Sequence, residues 1–266
     1  MDLQLNGKIA LVTGGSRGIG KAIARVLAEE GAQVAIVARG AEALDEAASE
    51  IQAATGRRIV TATVDTSDTA SVRAMAELVI AQLGRVDILV NNAARPGGAP
   101  PVAGIENLPD DIFTSEMNTK VLGYLRCARE VVPSMKASGW GRIINVSGLA
   151  ARQTGNAVGS MRNVAVAALT KNLADELGPF GINVTCVHPG LTWTEGVEHT
   201  FQSRSETRGE TLDAARQRLA GQNAVHRVIE SADIANLVAF LASPLSVAIT
   251  GDSIAAGGGV GRAIHY

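Results

Sequence analysis

Short apolar runs rich in valine and isoleucine recur along the chain, and between them apolar residues fall three and four positions apart. The runs are almost continuously apolar, which is typical of parallel strands that helices cover on both faces. We predict strands at Ile9–Val12, Val34–Val37, Ile59–Val64, Val86–Val90, Ile143–Val146 and Ile182–Val187, and helices at Gly18–Glu30, Ala41–Ala54, Ser71–Leu83, Asp110–Lys136 and Val164–Leu177.

The alternation of strand and helix predicts an α/β protein built on a doubly wound parallel sheet. No repeat or proline-rich linker divides the sequence, so we expect one domain over residues 1–266. The stretch 192–223 departs from the pattern because it is polar, charged and poor in strand-forming residues. We predict that this stretch forms a mobile helical lid.

Composition and charge narrow the class of protein. Of 266 residues, 24 are Lys or Arg and 26 are Asp or Glu, which gives a formal net charge of -2. This balance, without a block of like charge, argues against nucleic-acid and membrane-surface partners. No apolar run is long enough for a membrane span, so we expect a cytoplasmic protein. Cys127 and Cys186 lie far apart and show no metal-ligand spacing, so we expect neither a disulfide nor a metal site.

A glycine-rich turn joins the first predicted strand to the first predicted helix. Residues 13–20 read Thr-Gly-Gly-Ser-Arg-Gly-Ile-Gly. Glycines let the backbone turn tightly and approach a pyrophosphate, whose charge the free N–H groups of the following helix N-terminus then meet. Because the turn lies between a strand and a helix, we predict a dinucleotide-binding turn rather than a merely structural one.

The Gly-x-x-x-Gly-x-Gly spacing of this turn resembles that of the classical short-chain dehydrogenase/reductase family. The resemblance covers nearly the whole chain, and the other residues that carry it are Asn91-Asn92-Ala93, Asn118, Ser147, Pro189-Gly190, Thr194, Thr250-Gly251 and Gly257-Gly258. It implies a Rossmann-type sheet with strand order 3-2-1-4-5-6-7 and hydride transfer between a nicotinamide cofactor and a small-molecule carbonyl or alcohol. It also implies a homodimer or homotetramer that pairs through the long helices.

The end of the second strand indicates which nucleotide binds. A ribose with a free 2′-hydroxyl calls for an Asp or Glu there, but the residues are Ala38 and Arg39. Arg39 and Arg17 can both reach a 2′-phosphate, which a guanidinium matches with two parallel hydrogen bonds, so we predict NADP(H). The resemblance adds Asp65 as an acceptor for the adenine amino group. The full set expected to bind the cofactor is Gly14, Ser16, Arg17, Gly18, Ile19, Gly20, Arg39, Asp65, Asn91, Ala93, Asn163, Pro189, Gly190, Thr192 and Thr194.

The chain departs from the family at the two residues that carry the family's chemistry. The family uses a tyrosine as proton donor and, four residues later, a lysine that lowers the pKa of the phenol and holds the nicotinamide ribose. Counting back from Val166 puts Gly159 at the tyrosine position and Asn163 at the lysine position. We therefore expect an atypical active site in which the Asn163 carboxamide still bonds the ribose. The space left at Gly159 predicts room for a bulkier substrate or for another side chain.

Other residues are candidates for the missing chemistry. By resemblance, Ser147 orients the substrate oxygen and Asn118 lies nearby. His188, after the sixth predicted strand, is a candidate proton carrier, and a filler of the loop is the alternative. Arg162 follows Gly159 by three residues and is a candidate for polarising a carbonyl, with a salt bridge at a subunit interface as the alternative. The expected catalytic set is Ser147, Asn118, Asn163, His188 and Arg162.

Three functions fit these observations. The first is an NADP(H)-dependent carbonyl reductase or alcohol dehydrogenase with a non-standard proton donor, and the retained nucleotide motif supports it. The second is a catalytically silent NADP(H)-binding partner or sensor, which the loss of both tyrosine and lysine supports. The third is a non-redox enzyme on the same fold, such as a lyase. The third ranks last because such relatives remodel the nicotinamide cleft, whereas the glycine-rich turn is intact here, and analogy with the fold gives the first its priority.

Overall fold

The computed structural model describes residues 1–95, 104–208 and 211–261, except for the side chains of residues 204–208. Over these residues the strands are β1 (Ile9–Thr13), β2 (Gln33–Ala38), β3 (Ile59–Thr63), β4 (Ile88–Asn91), β5 (Gly141–Val146), β6 (Ile182–Pro189), β7 (Thr192–Trp193), β8 (Ile229–Glu230) and β9 (Ser253–Ala256). The helices are α1 (Gly18–Glu29), α2 (Ala41–Thr55), α3 (Thr69–Leu83), α4 (Asp110–Glu116), α5 (Gly123–Ser138), α6 (Ala157–Leu177), α7 (Glu195–Arg208), α8 (Leu212–Ala220) and α9 (Ser231–Ala242).

One parallel sheet organises the described chain. Its strands run in the order β3-β2-β1-β4-β5-β6-β9, while the short strands β7 and β8 pair with each other. The expected order is confirmed, with Ser253–Ala256 as the seventh strand of the sheet. The carboxyl ends of parallel strands meet at one edge, and the order reverses between β1 and β4. This is the place where open α/β sheets bind their ligands.

Helices cover both faces of the sheet. On one face α1, α2 and α9 contribute buried apolar side chains such as Ile23, Leu44 and Val238. On the other face α3, α5 and α6 contribute residues such as Val79 and Val131. The doubly wound α/β class is therefore confirmed, and the strands are apolar throughout because both of their faces are buried. None of the described helices is both long and apolar enough to cross a membrane.

The long helix expected over Asp110–Lys136 is interrupted. A π turn over Met117–Leu122 separates α4 from α5. A π turn closes its hydrogen bonds one residue later than an α-helix does, so it changes which side chains face the core. The expectation of a regular helix is wrong here, and the error falls on the segment that holds Asn118.

Helix α6 begins at Ala157, well before the predicted start at Val164. The side chain of Asn156 caps it, because Asn156 Oδ1 accepts a hydrogen bond of 2.8 Å from Gly159 N. The segment 192–223 contains α7 and α8, as a helical lid would, and its mobility stays a prediction.

Candidate active site

The glycine-rich turn between β1 and α1 has the shape that a nucleotide-binding turn requires. Gly14 has a φ of +66°, and a Cβ there would lie 3.0 Å from Ala93 Cα. A Cβ on Gly20, in the first turn of α1, would overlap the carbonyl oxygen of Gly14. Only glycine allows the turn, α1 and the loop after β4 to come this close. The turn thus fits a dinucleotide pyrophosphate at the N-terminus of α1.

The loop after β4 is fastened to this turn. The hydroxyl of Thr13 accepts hydrogen bonds from Asn92 N at 2.9 Å and Ala93 N at 3.0 Å. The Asn92 carboxamide donates back to Thr13 O at 3.1 Å and Gly14 O at 3.2 Å. These bonds join the ends of two adjacent strands and hold Ala93 beside the glycines, as the sequence predicts.

A charged group marks the end of the cleft where the adenosine is expected. Arg17 and Arg39 are exposed in the loops after β1 and β2. Asp65 accepts hydrogen bonds from the hydroxyl of Ser67 at 2.6 Å and from its N–H at 2.9 Å. These bonds lower the pKa of Asp65, and the charges of Arg39 and Arg126 lower it further. The ionised carboxylate of Asp65 and the guanidinium of Arg39 therefore lie close together at this end of the cleft.

Glu195, the first residue of α7, places a carboxylate at the N-terminus of α1. Its Oε2 accepts a hydrogen bond of 3.1 Å from Gly18 N, and its Oε1 lies 3.0 Å from Lys21 Nζ. Lys21 also pairs with Glu50 at 2.9 Å. The Glu195 carboxylate thus occupies the N–H group at which a phosphate is expected to bind, so this N–H donates to a negatively charged partner. The sequence reasoning did not identify Glu195.

The segment after β6 reaches the same corner. Gly190 N donates to Ala256 O at 3.1 Å, and the Thr192 hydroxyl donates to Gly190 O at 3.1 Å. A Cβ on Gly18 would lie 3.4 Å from the methyl group of Thr194. The structure therefore brings Thr194 against the glycine-rich turn, while Pro189 ends β6 beneath it.

Three side chains from three elements form a group that we call the polar cluster: Lys120, Ser147 and Asn163. Lys120 Nζ donates to Ser147 O at 2.9 Å and to Asn163 Oδ1 at 3.2 Å. The Ser147 hydroxyl donates to the main-chain oxygen of Asn163 at 3.1 Å. Lys120 is only 4% exposed. The cluster lies at the carboxyl end of β5 and contains two of the predicted residues and one that was missed.

Lys120 carried a signal that the sequence reasoning passed over. Glu116, Lys120 and Tyr124 follow one another at four-residue spacing, and all three are buried. The stripe continues into the buried residues Cys127 and Val131 of α5. A lysine on an otherwise core-facing stripe is unusual because lysine is almost never fully buried without a partner.

Burial lowers the pKa of Lys120 to about 7, and the positive charge of Arg162 acts in the same direction. Cys186 and Glu116 raise it by smaller amounts. Arg162 Nη1 forms a buried ion pair with the carboxylate of Glu116. The pair lies within the chain, so Arg162 has a salt-bridge partner without a second subunit. The guanidinium that the sequence offered for a substrate carbonyl is already bound to Glu116.

Asn118 does not join the polar cluster. Its Oδ1 accepts a hydrogen bond of 2.8 Å from Arg126 Nη2, and its Nδ2 donates to Ser67 O at 3.4 Å. Both partners belong to the adenosine end of the cleft. Lys120, two residues later in the π turn, is the residue that contacts Ser147 and Asn163.

Beneath the cluster lies a chain of neutral hydrogen bonds. Asn91 Nδ2 donates to Asn145 Oδ1 at 2.9 Å, and Asn145 Nδ2 donates to Thr170 Oγ1 at 2.9 Å. The Tyr124 hydroxyl donates to Val146 O at 2.7 Å, and burial raises its pKa well above the ordinary value. The side chain of Asn91 is buried in this chain of bonds, below the cleft that it was expected to line, and Tyr124 is no proton donor at neutral pH.

His188 is buried at the end of β6. Its Nδ1 accepts a hydrogen bond of 3.4 Å from Gly148 N. Burial lowers the pKa of His188 to about 4, and the charges of Arg152 and Lys120 act in the same direction. The ring is therefore neutral near pH 7 and holds the loop after β5. Arg152 donates to Ser253 O at 2.9 Å.

The side chain of Asn156 lies next to Gly159. A Cβ on Gly159 would lie 3.1 Å from Cγ of Asn156, whose Oδ1 caps the helix there. Room for a bulkier substrate beside Gly159 stays a prediction.

Within the described ranges no group of three His, Cys, Asp or Glu side chains is placed to hold a metal ion. Cys127 and Cys186 are buried thiols, and burial raises the pKa of Cys127 to about 12 and that of Cys186 to about 11.

The chain is similar to known proteins in both sequence and structure. A family model described as short chain dehydrogenase matches residues 8–205. The solved structure of L-sorbose reductase from Gluconobacter frateurii, complexed with NADPH and L-sorbose, superposes with a TM-score of 0.92 at 31% identity and covers 99% of this chain and 100% of that one. The NADPH-dependent reductase BacG of Bacillus subtilis is 30% identical over 97% of this chain and 99% of its own. The 3-oxoacyl-(acyl-carrier-protein) reductase of Staphylococcus aureus is 34% identical over 95% of this chain and 98% of its own.

Proposed function

Because the chain belongs to the short-chain dehydrogenase family, we propose that it is an NADP(H)-dependent oxidoreductase that reduces a carbonyl or oxidises an alcohol at an atypical active site. One juxtaposition carries the proposal. The glycine-rich turn and the polar cluster lie at the same edge of one sheet, at the carboxyl ends of β1 and β5. Such an edge can hold a dinucleotide by its phosphates and present its reactive ring to polar groups.

The nucleotide is NADP(H) on the evidence of the adenosine end. No carboxylate follows β2, where Arg39 stands instead, and Arg17 lies in the neighbouring turn. The relatives support the same prediction, since L-sorbose reductase was solved with NADPH and BacG is named an NADPH-dependent reductase. The bound cofactor supplies a hydride; the protein has to bind it, orient the substrate oxygen and provide a proton.

Ser147 and Asn163 take the roles that their positions allow. The Ser147 hydroxyl orients the substrate oxygen from the end of β5, and the Asn163 carboxamide hydrogen-bonds the nicotinamide ribose from α6. Gly159 and Asn163 stand where the family carries tyrosine and lysine. We exclude His188 as the proton donor because its ring is neutral near pH 7. We exclude Arg162 because its guanidinium is paired with Glu116.

A titration with NADPH and NADH, followed by turnover assays, tests this function. We expect NADPH to bind at least about tenfold more tightly than NADH, since hydrogen bonds to charged groups are worth about 1.5–3 kcal/mol. Consumption of NADPH is then followed with ketones, quinones and β-ketoacyl thioesters. Turnover with any of them supports the proposal. Absence of NADPH binding, or a preference for NADH, contradicts it.

The second candidate is a silent NADP(H)-binding partner or sensor. It is favoured by one observation: Tyr124 is the sole tyrosine of the described residues, and its hydroxyl is bound to Val146 O. Tight NADPH binding without turnover on the whole panel would support this candidate over the reductase.

We also propose a homodimer or homotetramer. Met161 and Val164 are 46% and 50% exposed and lie three residues apart on α6. Apolar side chains at that spacing share a helix face, which a second copy would bury. Light scattering after size-exclusion chromatography measures the assembly. A monomer at micromolar concentration would contradict it.

A further inference from the structure

We propose that Lys120 is the positioning cation of this active site: its ammonium holds Asn163 and Ser147 in their working orientation, and the site works only while that ammonium is protonated. The inference rests on the proposed function. It assigns to the π turn a charge that Asn163 of α6 does not carry.

The hydrogen bonds of Lys120 determine how Asn163 points. An ammonium can only donate, so the atom at 3.2 Å from Nζ must be the carboxamide oxygen. The Nδ2 group of Asn163 then faces the opposite way, and a Cβ on Gly148 would lie 3.0 Å from it. Gly148 follows Ser147 in the loop after β5. Lys120 therefore turns Asn163 into a donor toward the same loop that carries the Ser147 hydroxyl.

Lys120 also holds Ser147 through the main chain of that residue. Its second hydrogen bond, at 2.9 Å, ends on the main-chain oxygen of Ser147. The Ser147 hydroxyl in turn donates to the main chain of Asn163 at 3.1 Å. One ammonium thus connects the π turn, β5 and α6 in a closed ring of three hydrogen bonds. Loss of its proton or its charge weakens both donated bonds at once.

The charge of the ammonium is not cancelled locally. The carboxylate of Glu116 is matched by the guanidinium of Arg162. The remaining titratable groups around Lys120 are neutral near pH 7. The pKa of His188 lies below 7, so its ring is unprotonated, and the pKa values of Tyr124 and Cys186 lie well above 7, so both keep their protons. The described surroundings therefore leave one net positive charge at the end of β5, where it stabilises negative charge that develops on a substrate oxygen.

The same surroundings predict the pH dependence. The groups that face Lys120 are Glu116 from α4, Tyr124 from α5, Arg162 from α6, and Cys186 and His188 from β6. Because the pKa of Lys120 is about 7, the protonated lysine that positions Asn163 and Ser147 predominates at lower pH and is lost as the pH rises. Cofactor binding and turnover should both fall on the alkaline side.

The test compares the wild type with Lys120→Met, which keeps the length of the side chain and removes its charge. NADPH affinity is measured by fluorescence titration, and kcat and KM are measured where turnover occurs, across the pH range around 7. We expect wild-type affinity and kcat to fall above about pH 7. We expect Lys120→Met to bind NADPH about threefold to tenfold more weakly, as the loss of one oriented hydrogen bond predicts, and to show no pH dependence in this range.

A second variant keeps the ammonium and changes its neighbour. Arg162→Met removes the cation that lowers the pKa of Lys120 and leaves Glu116 free to pair with the ammonium. The alkaline limb should then move to higher pH by about one unit or more, which a purely structural role for Lys120 would not produce. Lys171→Met, on the exposed side of α6, is the matched control and should keep the wild-type profile.

The outcomes separate the two proposals. If the wild type does not bind NADPH, the proposed function fails and this inference fails with it. If it binds NADPH and Lys120→Met keeps the wild-type affinity and pH profile, the inference alone is overturned. An unshifted profile in a folded Arg162→Met variant also overturns it.

Discussion

Replacing the buried lysine should change how stability depends on pH. Burial lowers the pKa of Lys120 from 10.5 to about 7. Since one pKa unit corresponds to about 1.4 kcal/mol, the protonated side chain costs the folded state on the order of 4 kcal/mol near neutral pH. Lys120→Met removes this cost but leaves Ser147 O and Asn163 Oδ1 without their donor, which costs about 1–3 kcal/mol for each. The two effects nearly cancel at pH 7, so the change in the free energy of unfolding with pH is more informative than its value at one pH.

The sign of the slope follows from proton binding. Between about pH 7 and pH 10.5 the unfolded chain keeps the proton on this lysine and the folded chain has lost it, so folding becomes more favourable as pH rises. The cost of the charge is fully present below about pH 7. Relative to Lys120→Met, the wild type should therefore gain about 2 kcal/mol in free energy of unfolding between about pH 7 and pH 9.

Urea denaturation at several pH values and one protein concentration measures this difference. Lys171→Met is the control, because Lys171 is exposed and lies beside Asp175 at the surface. Its difference from the wild type should stay flat over the same interval. Parallel stability curves for the wild type and Lys120→Met would refute the reasoning, since they would mean that the lysine does not titrate in the folded state near pH 7.

Three further predictions concern the cleft. Arg39→Asp should weaken NADPH binding by about tenfold or more and leave NADH binding nearly unchanged, because it puts a negative charge beside the 2′-phosphate; equal losses for both nucleotides in a fluorescence titration would contradict it. Glu195→Gln should tighten NADPH binding a few fold, since the carboxylate now occupies the N-terminus of α1 that the pyrophosphate needs, whereas Glu198→Gln on the same helix should not. The exchange Lys120→Asn with Asn163→Lys keeps a carboxamide and an ammonium in contact, so it should recover part of the NADPH affinity that Lys120→Asn alone loses; no recovery would show that the cation has to come from the π turn.

The fold could be predicted because its signals are local and redundant. Continuous apolar strands, amphipathic helices and a glycine-rich turn each point to a doubly wound sheet. Ser253–Ala256 gave no such signal: it is short and only partly buried at the edge of the sheet, so only the resemblance called for a seventh strand.

The active site was less predictable because it depends on small shifts in helix geometry and on contacts between distant segments. The resemblance indicated Asn118, but the Asn118 side chain bonds Arg126, and Lys120 is the residue that contacts Ser147 and Asn163. Glu195 is far from Gly18 in the chain and meets it only when α7 folds over the glycine-rich turn. Spacing along one segment indicates that Lys120 shares a face with buried residues, but it does not report which residues of other segments that face meets.

The buried lysine bears on the choice between a reductase and a silent protein. A cleft without a function has no need for a cation at its base, where the buried charge costs the folded state on the order of 4 kcal/mol near neutral pH. Strongly shifted ionisable groups cluster at functional sites for this reason. In the proposed role, Lys120 supplies from the π turn the ammonium that Asn163 does not carry. Where the wild type turns over, Lys120→Met changes NADPH affinity and leaves kcat unchanged if Lys120 serves only to hold the nucleotide, and it lowers kcat as well if Lys120 also serves hydride transfer.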